Sequence, residues 1–421
     1  MTIANVHDRP TATVARRDAW LGAALVLAVC YLLNAEALWR PDTLRGFESN
    51  VQIGEAQAWW NGRLDLPERV WDTALKDGRV LSHFPPAFSF ISAALVPWFG
   101  GVPHWFFVLL ATAVPLCAYV LFLRLTRSAV WAVVLAVGYV CGTSVWPVLG
   151  TMLRYGMPYH VNHTLASIGV LLILIDYFGR RRVWLGALGL VLAAWSRQAT
   201  VAYALVLLLT AWWGLERVGR PRRLAMVALT GLLLGTVYCG LNLLKFGHPL
   251  RTGYLLNHEG RNDSFARDAR EVGVVSLQWV PRNLYYSNLG PPRVGKIDLA
   301  GKTTWYVAPN TKGTGIWWTT PLLLLIFFDL PRLVRNPSTV VLLAAALVVY
   351  AILMLWYSTG EVQRGYNRYS LDYIAVILAL IAPRCMVGRR RWLTPLAVAW
   401  SLVYFQILLP LPHLEVTAWG G

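Results

Sequence analysis

The chain is short of charge, and shorter still of acid. Only 14% of its 421 residues are Asp, Glu, Lys or Arg, against roughly 25% in a soluble globular protein, while 57% are hydrophobic. That balance excludes a disordered chain and a string of soluble domains. Cysteine is scarce too. Cys30, Cys117, Cys141, Cys239 and Cys385 all lie in or beside apolar runs, so the long polar segments hold no disulfide framework and no thiolate metal site. The 21 acidic residues face 38 Lys and Arg, a formal charge of +17 that would suit nucleic acid if the basic residues formed one patch. They sit mostly between the apolar runs instead. A phosphate-binding loop is missing as well, because GKTT at 301–304 lacks the upstream glycine.

What is abundant is apolar sequence in runs of about 15 to 20 residues, recurring to the C-terminus. The candidate spans are 19–39, 104–123, 129–146, 164–179, 183–195, 198–215, 224–243, 317–329, 339–356, 369–384 and 392–410. They predict an all-α, polytopic membrane bundle of about 11 spans, within a range of about 10 to 13, with large external loops and interfacial helices. PAFSFISAALVPWF at 86–99 is one further candidate. The polar tail 1–18 precedes a run with no small-residue cleavage motif, which reads as a retained first span.

Basic residues set the expected sidedness. If 86–99 stays at the interface, one side holds the N-terminus, RLTR at 124–127, RRR at 180–182, ERVGRPRR at 216–223, PRLVR at 331–335 and RCMVGRRR at 384–391. Those segments carry 18 basic and three acidic residues, whereas 40–103 and 245–316 carry 16 basic against 12 acidic. The positive-inside pattern therefore predicts a cytoplasmic tail over 1–18 and a transmembrane domain over 19–410 in the inner membrane. Segments 40–103 and 245–316 then face the periplasm or cell exterior, as does a tail over 411–421.

Polar residues at the outer ends of spans are the candidate site, because a charge facing lipid is costly and one facing a cavity binds substrate. They are Glu36, Glu48, His83, Arg154, His160, His163, Arg197, Arg364, Arg368 and Asp372, the last read as a partner for Arg368. Arginine pairs bidentately with phosphate oxygens, imidazole donates a hydrogen bond, and a carboxylate deprotonates an acceptor hydroxyl. This combination suits a lipid phosphate or pyrophosphate. Glu55, Asp72 and Asp77 are the nearest substitutes for Glu48 as the base. His160 and His163 share a helical spacing, but no third ligand has metal spacing, so no metal is assigned. No cofactor is certain, although a divalent cation fits the chemistry.

The stretch GFESNVQIGEAQAWWNGRLDL at 46–66, then DGRVLSHFPPAFSFISAALVP at 77–97, resembles the first external loop of C-type-fold integral-membrane glycosyltransferases. The likeness is to bacterial relatives of the protein O-mannosyltransferase and lipid A aminoarabinose transferase group. HFPP at 83–86 resembles their His or Lys before Pro-Pro, and RGYNRYSLDY at 364–373 resembles their late Arg-Tyr motif. The resemblance implies that Glu48 is the catalytic acid residue and that Glu36, His83, Arg154, His160, His163, Arg197, Arg364 and Arg368 bind substrate or lipid phosphate. It implies sugar transfer from a polyprenyl-phosphate donor to a cell-envelope glycan or lipid acceptor on the outer face of the membrane. The paired acidic motif of the protein mannosyltransferases is absent, which points away from a protein acceptor. Two other classes fit the same residues: a transporter or flippase for a lipid-linked saccharide, and a noncatalytic envelope-assembly protein. No nucleic-acid partner is expected.

Overall fold

The computed structural model describes residues 14–38, 50–70, 72–179, 183–212, 220–259, 261, 263–299, 302–360 and 365–410. The helices of eight residues or more begin with α1 (Arg16–Leu33), α2 (Val51–Trp60), α3 (Ala87–Phe99), α4 (His104–Thr126) and α5 (Ala129–Cys141). They continue with α6 (Val145–Tyr155), α7 (Pro158–Tyr177), α8 (Val183–Ser196), α9 (Tyr203–Trp212), α10 (Arg220–Phe246) and α11 (Ser264–Val272). The last four are α12 (Leu325–Leu333), α13 (Pro337–Met354), α14 (Ile374–Ile381) and α15 (Arg390–Val403). Two antiparallel hairpins interrupt them: β1 (Thr73–Lys76) with β2 (Arg79–Ser82), and β3 (Arg293–Leu299) with β4 (Lys302–Ala308).

Eleven apolar runs do not become eleven spanning helices. Among the described residues four helices are long and apolar enough to cross a membrane, namely α4, α7, α10 from Pro221, and α13. A fifth span is present if α5 and α6, bent by 59°, count as one. The other runs break for local reasons. The run at 198–215 opens with a tight 3₁₀ turn, Gln198–Ala202, and ten described residues of α-helix follow. The run at 317–329 divides at Thr320 and Pro321, and that at 369–384 is 3₁₀ at both ends of the eight-residue α14. Arg16, Arg17 and Asp18 occupy the first turn of the 18-residue α1. At 1.5 Å per residue the 14 residues of α8 and the 13 of α3 reach only about 20 Å, short of the ~30 Å of hydrocarbon.

The core surrounds α7, which is buried over nearly its whole length, and takes in α4, α5, α6 and α14. In contrast, α10 leaves Leu229, Leu232, Leu233, Leu243 and Leu244 exposed, as expected of a helix whose outer face meets lipid. Small residues bring α7 and α8 together. A Cβ on Gly169 would lie 2.5 Å from the Gly189 carbonyl oxygen and 2.6 Å from the Ala193 nitrogen, so backbone meets backbone at this crossing. The α5–α6 break frees carbonyls in the bundle. Thr320 Oγ1 donates to the Gly142 carbonyl at 3.1 Å and Gln406 Nε2 to that of Cys141 at 3.0 Å, which lets a broken helix persist away from water. Near the opposite end of α7, buried Asp176 accepts from Arg223 Nη2 at 3.1 Å.

Two long segments pack over one end of the bundle. In the first, Asn50 caps α2 by accepting from the Gln52 N–H at 2.8 Å and donates its own Nδ2 to the Gly156 carbonyl at 2.5 Å. Glu55 is held twice, by Ser89 Oγ at 2.6 Å and by an ion pair with Lys245 of α10. In the second, Asn283 Nδ2 donates to the Met354 and Trp356 carbonyls at 2.8 and 2.7 Å, tying that segment to the end of α13.

Replacement of Gly169 by Leu forces a side chain into backbone that cannot withdraw, and overpacking of this kind costs about 1 to 3 kcal/mol. The expected result is a lower thermal unfolding temperature in detergent, while Gly231→Leu on α10, where an added Cβ meets nothing within 4 Å, leaves it unchanged. Equal melting of the two variants would count against the close α7–α8 crossing.

Candidate functional site

The hairpin β1–β2 aims one edge of the site. Asp77 and Gly78 both have positive φ, 50° and 73°, the two-residue turn that an Asp-Gly pair favours. The register runs from Lys76↔Arg79 to Thr73↔Ser82, so Asp72 and His83 flank the open end of the hairpin. The hairpin is seated by its own small core of Ala74, Leu81, Phe246 and Leu256. His83 is buried, stacked on Phe84 at 4.6 Å and edge-on to Tyr254 at 4.8 Å, and its Nδ1 has no hydrogen-bond partner among the described residues. Burial, reinforced by the charges of His258, Lys245 and Arg261, drives its pKa down to about 3. The ring is neutral at physiological pH.

The first turns of α7 form the floor. Asn162 Nδ2 donates to Gln52 Oε1 at 2.9 Å, and Gln52 Nε2 to the Pro85 carbonyl at 2.8 Å, so α7, α2 and the HFPP stretch share one network. His160 and His163 are both buried but look at different partners. Nε2 of His160 lies 3.5 Å from the Tyr366 hydroxyl, while His163 Nδ1 is 3.6 Å from Asp372 Oδ1 and its ring meets that of Tyr369 edge-on at 5.4 Å.

Opposite them, the 3₁₀ turn Arg368–Asp372 carries the charges. Asp372 is buried and accepts from Arg197 at Nε (3.1 Å) and Nη2 (3.0 Å), both on Oδ2. Burial pushes the carboxyl up, yet the Arg197 charge, with His163 close by, outweighs it and holds the Asp372 pKa below the usual range. The pairing expected between Asp372 and Arg368 does not form. Neighbours within one tight turn point apart, and the arginine that reaches the carboxylate comes from the α8 end instead.

Arg368 has a different environment. Its guanidinium lies over the Tyr159 ring at 4.6 Å and near that of Tyr369 at 5.3 Å, and Arg197 lies over Tyr369 at 4.7 Å. No carboxylate among the described residues is within ion-pair distance of Arg368, and its buried Nε makes no hydrogen bond to them. For the Tyr369 hydroxyl, burial pushes its pKa up, but Arg368 and Arg197 together hold it below the ordinary phenol range; it also pairs with Ser358. One guanidinium is therefore neutralised at the site, and a second is stacked on rings with no carboxylate among the described residues at ion-pair distance.

The remaining expected residues separate. Arg154 is exposed near the end of α6. Glu48 and Arg364 lie outside the described residues, and so does the side chain of Glu36, whose backbone is in the short helix Ala35–Leu38. Glu55 is committed to Lys245 and Ser89, which removes it as a free base. Among the described residues no three His, Cys, Asp or Glu side chains gather to hold a metal ion. Sequence reasoning missed the tyrosines Tyr159, Tyr254, Tyr366 and Tyr369. The tyrosine beside Arg368 in RYSLD was the available signal.

Acid tests the His83 environment. A His whose folded pKa lies below its unfolded value of about 6.5 lets the unfolded chain bind the extra proton, so stability falls as pH drops from about 6.5 towards 3. The slope is up to ~1.4 kcal/mol per pH unit for one such group. His258, drawn down to about 4 by burial and by Arg261, acts in the same direction. Thermal unfolding at pH 7 and pH 5 is expected to show a smaller acid loss for His83→Phe than for wild type; parallel losses would mean that the imidazole is not buried neutral.

The chain is a mostly helical protein with a few long apolar helices, consistent with a membrane protein. It matches no protein-family model, no curated protein and no solved structure.

Proposed function

We propose that the chain transfers a sugar from a polyprenyl-phosphate donor to a cell-envelope glycan or lipid acceptor on the outer face of the membrane. The observation that carries this reading is Arg368, stacked on rings and in no ion pair with a described carboxylate, beside the neutralised Arg197–Asp372 pair. A half-buried guanidinium with no carboxylate among the described residues at ion-pair distance is costly in a protein of low charge, and a phosphate offsets that cost with charge-assisted hydrogen bonds. Tyr159, Tyr254 and Tyr369 add aromatic faces and hydroxyls of the kind that hold sugars. The leaving phosphate then gains stabilisation from Arg368 as negative charge develops on it. On this reading the segments 40–103 and 245–316 are external, the N-terminus is cytoplasmic, and the acceptor meets the site from outside.

One observation favours a second reading. The 59° break between α5 and α6 is the kind of discontinuous helix found in secondary transporters, and a flippase for a lipid-linked saccharide would use the same arginines.

Purified protein in lipid nanodiscs, given a panel of polyprenyl-phosphate sugars and extracted envelope acceptors, separates the two. Sugar transfer is expected for wild type, and Arg368→Gln is expected to lower kcat/KM roughly 10- to 100-fold at unchanged melting temperature. Absence of transfer across the panel, with saccharide lipid crossing between leaflets of proteoliposomes, would replace the enzyme with the transporter.

A further inference from the structure

Among the described residues that line the site, the buried carboxylates are already occupied, and one half-buried carboxylate is not. Asp372 is committed to Arg197, and Glu55 to Lys245 and Ser89. Asp72 is half-buried, yet its carboxylate makes no hydrogen bond and no ion pair to another described residue. Its position is fixed by the hairpin, whose register sets Asp72 across from His83 at the end nearest the site. The turn Leu256–His258 packs against β1.

Aromatic rings line the way from His83 to that carboxylate. His83 meets Tyr254 at 4.8 Å, Tyr254 meets Trp356 at 4.9 Å, and Trp356 meets Tyr357 at 5.4 Å. Tyr357 in turn lies within electrostatic reach of Asp72. Arg368 and Arg261 act on Asp72 electrostatically from longer range, so the cation that takes phosphate also influences this carboxylate. A carboxylate beside an aromatic wall, next to a cation that takes phosphate, is an arrangement suited to a sugar hydroxyl.

We infer that Asp72 is the general base that takes the proton of the acceptor hydroxyl, an inference that rests on the sugar-transfer reading of the site. In the step, the acceptor O–H bond breaks and its proton passes to an Asp72 carboxylate oxygen. The acceptor oxygen forms the new bond to the anomeric carbon. The bond from that carbon to the phosphate oxygen breaks, and its electron pair stays on the phosphate beside Arg368. The protonated Asp72 returns its proton to water.

Burial raises the Asp72 carboxyl above the usual carboxylate range, against the opposing pull of Arg368 and Arg261, which makes its anion a better base. The charged and titratable groups that act on it or flank it are Arg368 from the 3₁₀ turn, Arg261 from the segment after the turn packed on β1, Tyr357 after α13, and His83 across the hairpin. Transfer is therefore expected to fall as pH drops through that raised pKa, because protonation removes the base.

The test measures kcat against pH, and donor affinity by tryptophan quenching with the polyprenyl-phosphate sugar, for wild type, Asp72→Asn, Asp72→Glu and Glu48→Gln in nanodiscs. Asp72→Asn is expected to lose roughly 10²- to 10⁴-fold in kcat with unchanged donor affinity and melting temperature, and to lose the acid limb. Asp72→Glu should restore part of the rate with the limb displaced. Should Asp72→Asn not fold, Asp72→Ala with added formate replaces it, and rescue of transfer is then expected. Retention of the wild-type limb in Asp72→Asn, or no rescue by formate, overturns the inference while an active wild type preserves the sugar-transfer reading. So does a loss explained wholly by weaker donor binding, or a limb that disappears only in Glu48→Gln. A wild type that transfers from no donor overturns both.

Discussion

Charge inside an apolar bundle is the constraint on which the rest of this structure depends. Few acids are available, and those among the described residues that are fully buried are each paired: Asp176 with Arg223, Asp329 with Arg390, Glu55 with Lys245, Asp372 with Arg197. Such pairs contribute little net stability by themselves, but loss of one partner leaves a buried charge uncompensated. They therefore fix which helices lie together. The Glu55–Lys245 pair ties α2 to α10, and Arg197–Asp372 ties the end of α8 to the turn before α14. Against that background Arg368 stands out because aromatic rings surround it where a carboxylate would be expected.

The hairpin at 73–82 shows how a short polar insertion serves the bundle. Its Asp-Gly turn sets the register, its apolar residues seat it on Phe246 and Leu256, and its open end presents Asp72 and His83 to the charged turn. A two-stranded ribbon has little stability of its own. Its packing against the end of α10 and the segment that follows is what allows two neighbouring side chains to be held in defined places.

Much of the candidate site was legible because polar residues in a chain this apolar are informative. Arg197, Arg368, His83, His160 and His163 stood out by being ionisable at the ends of apolar runs, and the structure brings them to one end of the bundle. Arg154 stood out for the same reason and lies exposed near the end of α6, since the end of a helix gives no direction for a side chain. The tyrosines escaped notice because eighteen are scattered through the chain and their spacing carries no signal. Asp372 was visible but given the wrong partner. Proximity in sequence suggested Arg368, whereas the backbone of a 3₁₀ turn carries the carboxylate towards Arg197.

The sequence by itself determined the class: a helical chain too apolar for water, punctuated by basic residues. Only the tertiary structure decided how many of the apolar runs are long helices. Run length reports that a segment avoids water, and a segment does so equally well against lipid or against other helices. The break between α5 and α6 is tolerated because Thr320 and Gln406 donate to its freed carbonyls, and the Arg368–Asp372 turn because the Tyr203 hydroxyl donates to the Asp372 carbonyl. Those neighbours come from distant parts of the chain, and a linear reading has no means of placing them.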